Sequence, residues 1–392
     1  MSHCRGPARL DGVVVAAARP RASVRGTDGS PSGVAALAAA RSRVSASVVA
    51  GFWTPAARRV INPHASIGIY EHEPRAGQCA VRWSAVERAA RAGLRAGDAT
   101  AHILGERVVQ GVPRTLRRRV SRELVPTWPQ SMPASAPARL PSTPRAGAAG
   151  AYLPACINRI FGNRRDAAPR PTLPEALVRV SRRAGLPLWI PEEVGGHCCA
   201  TPWSSKGYRR GKELMARKVA AALWRWSNEG RRPVVIDASS CAHGLLHDVP
   251  SQLDDELRER FGKVEVLDSI AWAHDHLLPR LEVRRRLRSV AVHPVCSARH
   301  LHLATKLEGV ARTLADEVIV PAGTSCCGMA GDRGLLHPEL PVSALRDAVA
   351  DLDGRAVEAC LCSNRTCEIA LQQVTGRPYA SFVFPLEAAT RP

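Results

Sequence analysis

TSCCGMAGDRGLLHPEL, residues 324–340, sets two cysteines side by side at Cys326 and Cys327, with a glycine directly after them. No histidine pair or third nearby cysteine completes a compact metal site around them. A second adjacent pair, Cys198 and Cys199 in GGHCCATPW (195–203), argues against accident. Upstream of the two pairs, LPACINR at 153–159 aligns with HPVCSAR at 293–299: Pro, any residue, Cys, two residues, Arg. Each pair is then followed by another cysteine-bearing stretch. In the first half this is DASSCAHG (237–244) with Cys241; in the second it is ACLCSNRTC (359–367) with Cys360, Cys362 and Cys367. The chain therefore reads C…CC…C twice, which is the mark of an internal duplication.

Short apolar runs punctuate the same region at 149–155, 186–191, 233–238, 263–268, 289–294, 316–322 and 356–361. They alternate with helical patterns, so the expected fold is α/β with mainly parallel sheets. In TLPEALVRVSRRAG, Thr172 and Glu175 have capping-box spacing, and so do Ser84 and Glu87 in RWSAVERAARAGLRAG. In GKELMARKVAAALWRW, Leu214, Val219, Leu223 and Trp226 fall roughly along one helical face. Nearly every repeat cysteine lies at or just past the end of an expected strand. Ligand-binding loops converge on that edge in open α/β sheets, so each half is expected to gather thiols from distant segments into one ring.

The expected organisation is a low-complexity Arg, Ala and Pro-rich arm over 1–81 without ordered structure, and a helical segment over 82–130. A Pro-rich linker over 131–150 and two repeats over 151–288 and 289–392 complete it. The formal charge is +20, and residues 1–150 hold 22 Arg, no Lys and only 8 acidic residues. The basicity thus belongs mostly to the arm and helical segment. Aromatic content of 4% supplies few stacking platforms, so a nucleic-acid partner is not expected. No apolar run approaches the ~18 residues of a membrane span, and the early GVVVAAA (12–18) does not read as a signal peptide. Twelve cysteines in a chain of this length then point to cytosolic metal or redox use rather than to disulfides.

Thiolates select soft or borderline metals: zinc, copper(I) and iron–sulfur clusters. Compact zinc sites favour two ligands a few residues apart, which adjacent cysteines suit poorly because their side chains tend to diverge. In a cluster, neighbouring thiolates reach different irons, and four cysteines meet the need of a [4Fe–4S] unit. The donor pattern favours iron–sulfur over zinc, with a disulfide or ligand-free reading left open.

HPVCSARHL, CCGMAGDRGLLHPEL and SNRTCE, with YLPACINRIFG and GHCCATPWSSKGYRRG in the first half, resemble the duplicated CCG cysteine-rich region. That region occurs in heterodisulfide reductase B subunits, in glycolate oxidase iron–sulfur subunits and, most similar here, in FAD- and iron–sulfur-containing D-lactate dehydrogenases of the cytochrome type. The resemblance covers 82–392 and is densest over 150–380. It implies two tandem CCG α/β repeats and an electron-transfer role in 2-hydroxy-acid oxidation. Flavin-derived electrons would pass through one or two [4Fe–4S] clusters to a cytochrome or quinone. It places Cys296, Cys326, Cys327 and Cys367 on one cluster and Cys156, Cys198, Cys199 and Cys241 on a second. Three departures stand out: Ala200 replaces the motif glycine, SSCAHG keeps one cysteine, and the terminal C-x-x-C becomes Cys362-x4-Cys367, which makes Cys362 a further candidate ligand, secondary to Cys367. No flavin-binding or glycine-rich dinucleotide segment is recognisable, so FAD is expected in a partner or missing domain. The resemblance further implies a flavoprotein partner and a cytoplasmic location, at the inner membrane face if peripherally associated. The alternative is a zinc-stabilised or cluster-free interaction module of the same fold.

No nucleophile–base pair points to catalysis by this chain alone. His197, His243 and His293 flank the cysteines as loop-polar or hydrogen-bonding residues, with ligation as the alternative. Arg159 and Arg299 repeat three residues after Cys156 and Cys296, where they would offset an anionic cluster or serve structure. Asp332 and Arg333 are placed to pair with each other. Cys4 and Cys79 stand alone, and Cys360 reads as a buried strand residue.

Overall fold

A computed structural model describes residues 77–122, 125–163, 170–323 and 325–392. Most of the expected arm, with Cys4, lies outside the described residues. Strand β1 (Gly150–Leu153) is flanked by β2 (Leu188–Trp189) and β3 (Val234–Ile236), with β4 (Val266–Asp268) beyond β3. The second half repeats this layout. Here β5 (Leu287–Val292) lies between β6 (Ala315–Ile319) and β7 (Ala359–Cys362), with β8 (Tyr379–Ser381) outermost. Every pairing is parallel, for example Leu153 opposite Ile236 and Val292 opposite Leu361. The chain is α/β with two parallel sheets, as expected, and strand order 2-1-3-4 recurs in both.

That order has a chemical consequence. In each sheet the chain leaves the first strand to build one side and later returns to build the other. The crevice beyond the strand ends opens where the winding reverses. The segments following β1, β2 and β3 end beside one another there, and so do those following β5, β6 and β7.

Local sequence explains most of the elements. Thr172 and Glu175 form the expected capping box: Thr172 Oγ1 accepts from Glu175 N, and Glu175 Oε2 accepts from Thr172 N at 2.8 Å. The helix it starts, Leu173–Arg183, buries Leu173, Leu177 and Val180. The helix Arg209–Trp226 buries Met215, Val219, Leu223 and Trp226. Leu214, expected on that face, is exposed, because the buried stripe runs through Met215 and Ala216 instead. The Ser84–Glu87 capping box does not form. The helix Trp83–Leu104 begins two residues earlier, with Arg82 at its N-cap and no side-chain cap bond. Glu87 is instead buried and turned to the β1 exit.

The last helix and the Pro-rich segment are among the parts that hold the halves to one another. The final helix, Val383–Ala389, lies against the helix Leu173–Arg183 of the first half, where Arg183 bonds Glu387 O at 3.0 Å and Thr390 Oγ1 at 2.6 Å. Within the Pro-rich segment, Ser131 Oγ donates to Ile369 O at 3.0 Å and Ser135 bridges to Phe161.

The end of β4 carries a pH-sensitive group. Asp268 is buried, and burial outweighs the hydrogen bond from Ile270 N, raising its pKa from 3.8 to about 7. The folded state therefore holds this proton more tightly than the unfolded chain. The associated stability is present below pH 4 and is lost as pH rises toward and through 7. Asp268→Asn keeps a good cap acceptor and removes the ionisation. The variant is expected to gain on the parent as pH rises from 4 to 8, by at most about 4 kcal/mol. Urea melts at several pH values check this, and a difference that does not grow with pH would contradict it.

Candidate metal centres at the two sheet edges

Cys156 opens the short helix Cys156–Ile160 directly beyond β1, and Cys241 lies in Ser239–His243 beyond β3. One buried carboxylate ties these two exits together. Asp237 Oδ1 accepts from Ala155 N at 2.7 Å, and Oδ2 accepts from Tyr152 OH at 2.6 Å. Asn158 Nδ2 adds a bond to Asp237 O at 3.2 Å. Cys198 and Cys199 arrive from the segment after β2, which places Cys198 Sγ 3.4 Å from Cys156 Sγ. Cys199 in turn meets both Cys198 and Cys241. The first half thus contains a continuous sulfur chain, Cys156–Cys198–Cys199–Cys241, and all four residues are buried.

Arg159 braces this centre. Its guanidinium pairs with Glu87 and donates to Pro154 O at 2.7 Å and to His197 O, so one side chain grips the loops of Cys156 and Cys198. Burial opposes its charge, yet Glu87, with Cys156 and Cys198, raises its pKa overall. Arg299 repeats part of the contact, donating from Nε to Pro294 O at 3.2 Å. The conserved spacing within the duplication therefore has a structural use: the arginine returns to the carbonyl of the proline five residues before it.

The second half builds the same chain in the same order. Cys296 opens the helix Cys296–His300 beyond β5, Cys326 and Cys327 follow β6, and Cys367 lies in the helix Arg365–Thr375 beyond β7. Cys327 Sγ is 3.1 Å from Cys367 Sγ, and Cys326 meets both Cys296 and Cys327. Hydrogen bonds from Cys296 and Cys327, with Gly328 N at 3.3 Å, hold Cys326 well below the ordinary thiol pKa. Cys199 is lowered in the same way by Cys198 and Cys241. In each centre one sulfur, Cys199 or Cys326, thus accepts hydrogen bonds from the cysteines on either side of it.

The glycine after the second pair is required by space as well as by conformation. Gly328 has φ 72°, and a Cβ there would stand 2.7 Å from Leu340 O and Pro341 Cα. The first half runs through the same left-handed region with Ala200 at φ 65°. The departure from glycine in HCCAT is a change of side chain on an unchanged turn.

Cys362 ends β7, fully buried, and donates to Asn364 O at 3.4 Å. Counting back from Cys367 as from Cys241, it stands in the place of Ile236, and Ser363 takes the place of the first half's buried carboxylate, Asp237. Cys360 is a strand residue opposite Tyr379, and Cys79 is exposed. His197 Nδ1 lies 2.8 Å from Glu193 O, with the ring edge-on to Trp226. His243 lies against His247 and His300, with ring centroids 4.6 and 5.7 Å away. His293 is wholly buried, and burial followed by Arg299 pushes its pKa down to about 4.

The two centres face a shared hydrogen-bonded seam. Ser239 Oγ donates to Ser363 Oγ at 2.8 Å. Asn364 Oδ1 accepts from Ser240 N at 3.2 Å, while its Nδ2 donates to Ser297 Oγ at 3.4 Å. Ser240 adjoins Cys241, and Ser297 adjoins Cys296. Asp332 does not pair with Arg333 as expected. It binds Lys206 of the first half at 2.7 Å, giving the second cysteine loop a charged strap across the seam. Neither the seam nor Asp237 was visible in the sequence, because serine and a strand-end aspartate carry no signal until their tertiary partners are known.

Among the described residues, no three His, Cys, Asp or Glu side chains close around a single-ion position. The donor set is nonetheless four thiols in an open chain, twice. Such a set is compatible with a metal cluster, in which each thiolate meets a different metal atom. Residues 151–245 and 290–372 match the family model CCG, described as a cysteine-rich domain. A search of curated proteins finds no match.

Proposed function

We propose that this chain, which carries two copies of the CCG cysteine-rich domain, is the iron–sulfur electron-transfer part of a D-lactate or related 2-hydroxy-acid dehydrogenase. The observation that carries the proposal is the duplicated chain of four sulfurs at matching sheet edges, which meet at one seam. The first cluster is assigned to Cys156, Cys198, Cys199 and Cys241, and the second to Cys296, Cys326, Cys327 and Cys367. Likeness to the D-lactate dehydrogenase group in CCGMAGDRGLLHPEL and SNRTCE supports the choice of substrate class.

A bound cluster supplies reversible one-electron chemistry whose potential depends on charge, burial and hydrogen bonds to sulfur. The protein's own groups address each of these. The thiolates hold the metal, Arg159 brings positive charge beside Cys156 and Cys198, and Gly328 N donates to Cys326. Ser239, Ser240, Ser297, Ser363 and Asn364 hold the two centres in fixed relation. Oxidation of the substrate C–H bond is assigned to a flavin on a partner protein, and the electrons then leave to a cytochrome or quinone. Among the described residues no helix is long and apolar enough to cross a membrane. The proposed location is cytoplasmic, at the inner membrane face where the chain associates peripherally with its acceptor.

The test mixes anaerobic, iron- and sulfide-reconstituted protein with a chemically reduced flavoprotein. The visible iron–sulfur absorption is expected to bleach and to return on adding a quinone analogue. Absorption that ignores the reductant would contradict the electron-transfer role. Stoichiometric zinc in place of iron would favour an interaction module of the same fold.

A further inference from the structure

His293 ends the apolar run of β5 at 0% exposure, and among the described residues neither ring nitrogen has a hydrogen-bond partner. Its backbone is fixed, with His293 N donating to Leu361 O at 2.9 Å. A buried polar group left unsatisfied is destabilising, and such groups call for a specific explanation. The charges the ring responds to are those of Arg299 and Cys326. The duplication supplies an internal control. In LPAC and HPVC the matching position is Leu153, which is buried at 1% exposure. Packing at this corner is therefore satisfied by an aliphatic side chain in one half, so the imidazole of the other half serves something beyond packing.

We propose that His293 donates a ring N–H to the Cys326 thiolate when the second centre holds its cluster, making that centre easier to reduce than it would be without this donor. The inference rests on the iron–sulfur reading above. A hydrogen-bond donor to a ligating sulfur stabilises the extra negative charge that arrives on reduction. The first centre has Leu153 in the corresponding place and lacks this donor. His293 is thus a positioning and tuning residue of the second centre.

The test uses the full reconstituted chain, His293→Leu, which installs the first half's residue, and His293→Gln, which keeps an N–H donor. Iron content is measured first, and the two centres are then titrated potentiometrically by electron paramagnetic resonance. In His293→Leu the reduction equilibrium constant of the second centre is expected to fall about tenfold, ~59 mV for one electron. The first centre should stay unmoved, and His293→Gln should recover most of the loss. Wild-type protein labelled with 15N-histidine should show hyperfine coupling to the second centre, a readout that does not depend on how the variants fold. Full iron with an unshifted potential in His293→Leu, or no 15N coupling in the wild type, would overturn the inference. Absence of iron from the wild type would overturn the underlying reading as well, and the iron assay separates the two failures.

Discussion

Replacing Cys327 with serine should leave the chain folded and remove about half of its bound iron, roughly four atoms per chain. Cys327 is buried in the middle of the second sulfur chain, between Cys326 and Cys367. A serine hydroxyl is a harder donor than thiolate and is poorly matched to this chemistry. The substitution nearly conserves volume, so the sheet and its helices should persist in circular dichroism. Iron analysis and the paramagnetic signal of each centre give the measurement. Unchanged iron would remove the second centre from the account, while loss from both centres would mean that the halves load as one unit.

Glu87→Ala has the largest expected effect on stability. Glu87 and Arg159 form an ion pair with 3% of each side chain exposed. Deleting the carboxylate leaves the guanidinium buried without its counter-charge, which costs about 3–5 kcal/mol. Arg159 also grips Pro154 O and His197 O, so its displacement should loosen both loops of the first centre. Denaturant melts of the metal-free chain should show the stability loss. Iron analysis should show the first centre emptied and the second retained. A variant as stable as the parent would mean that the pair is not closed in solution.

The same residue shows why sequence reading succeeds in one place and fails in another. At Thr172 and Glu175 the capping spacing predicts a local contact, and local geometry delivers it. At Ser84 and Glu87 the spacing is identical, but the carboxylate is claimed by Arg159, 72 residues away. A buried guanidinium outcompetes a solvent-exposed cap. The seven expected strands stand out because each is an apolar run bounded by turn residues. The eighth, Tyr379–Ser381, runs straight into the apolar start of the helix Val383–Ala389, so no turn residue marks its end. The repeat cysteines were legible because their pattern recurs, and parallel topology then explains why segments so far apart converge. Leu214 and Asp332 show the limit: one helical register step and one cross-seam lysine are tertiary choices.

Iron and acid-labile sulfide per chain, measured after anaerobic purification, test the central claim most directly. The account predicts a brown protein carrying inorganic sulfide and iron in near-equal amounts, both lost on chelation. A colourless chain that retains zinc, or no metal at all, and releases no sulfide on acidification would contradict it.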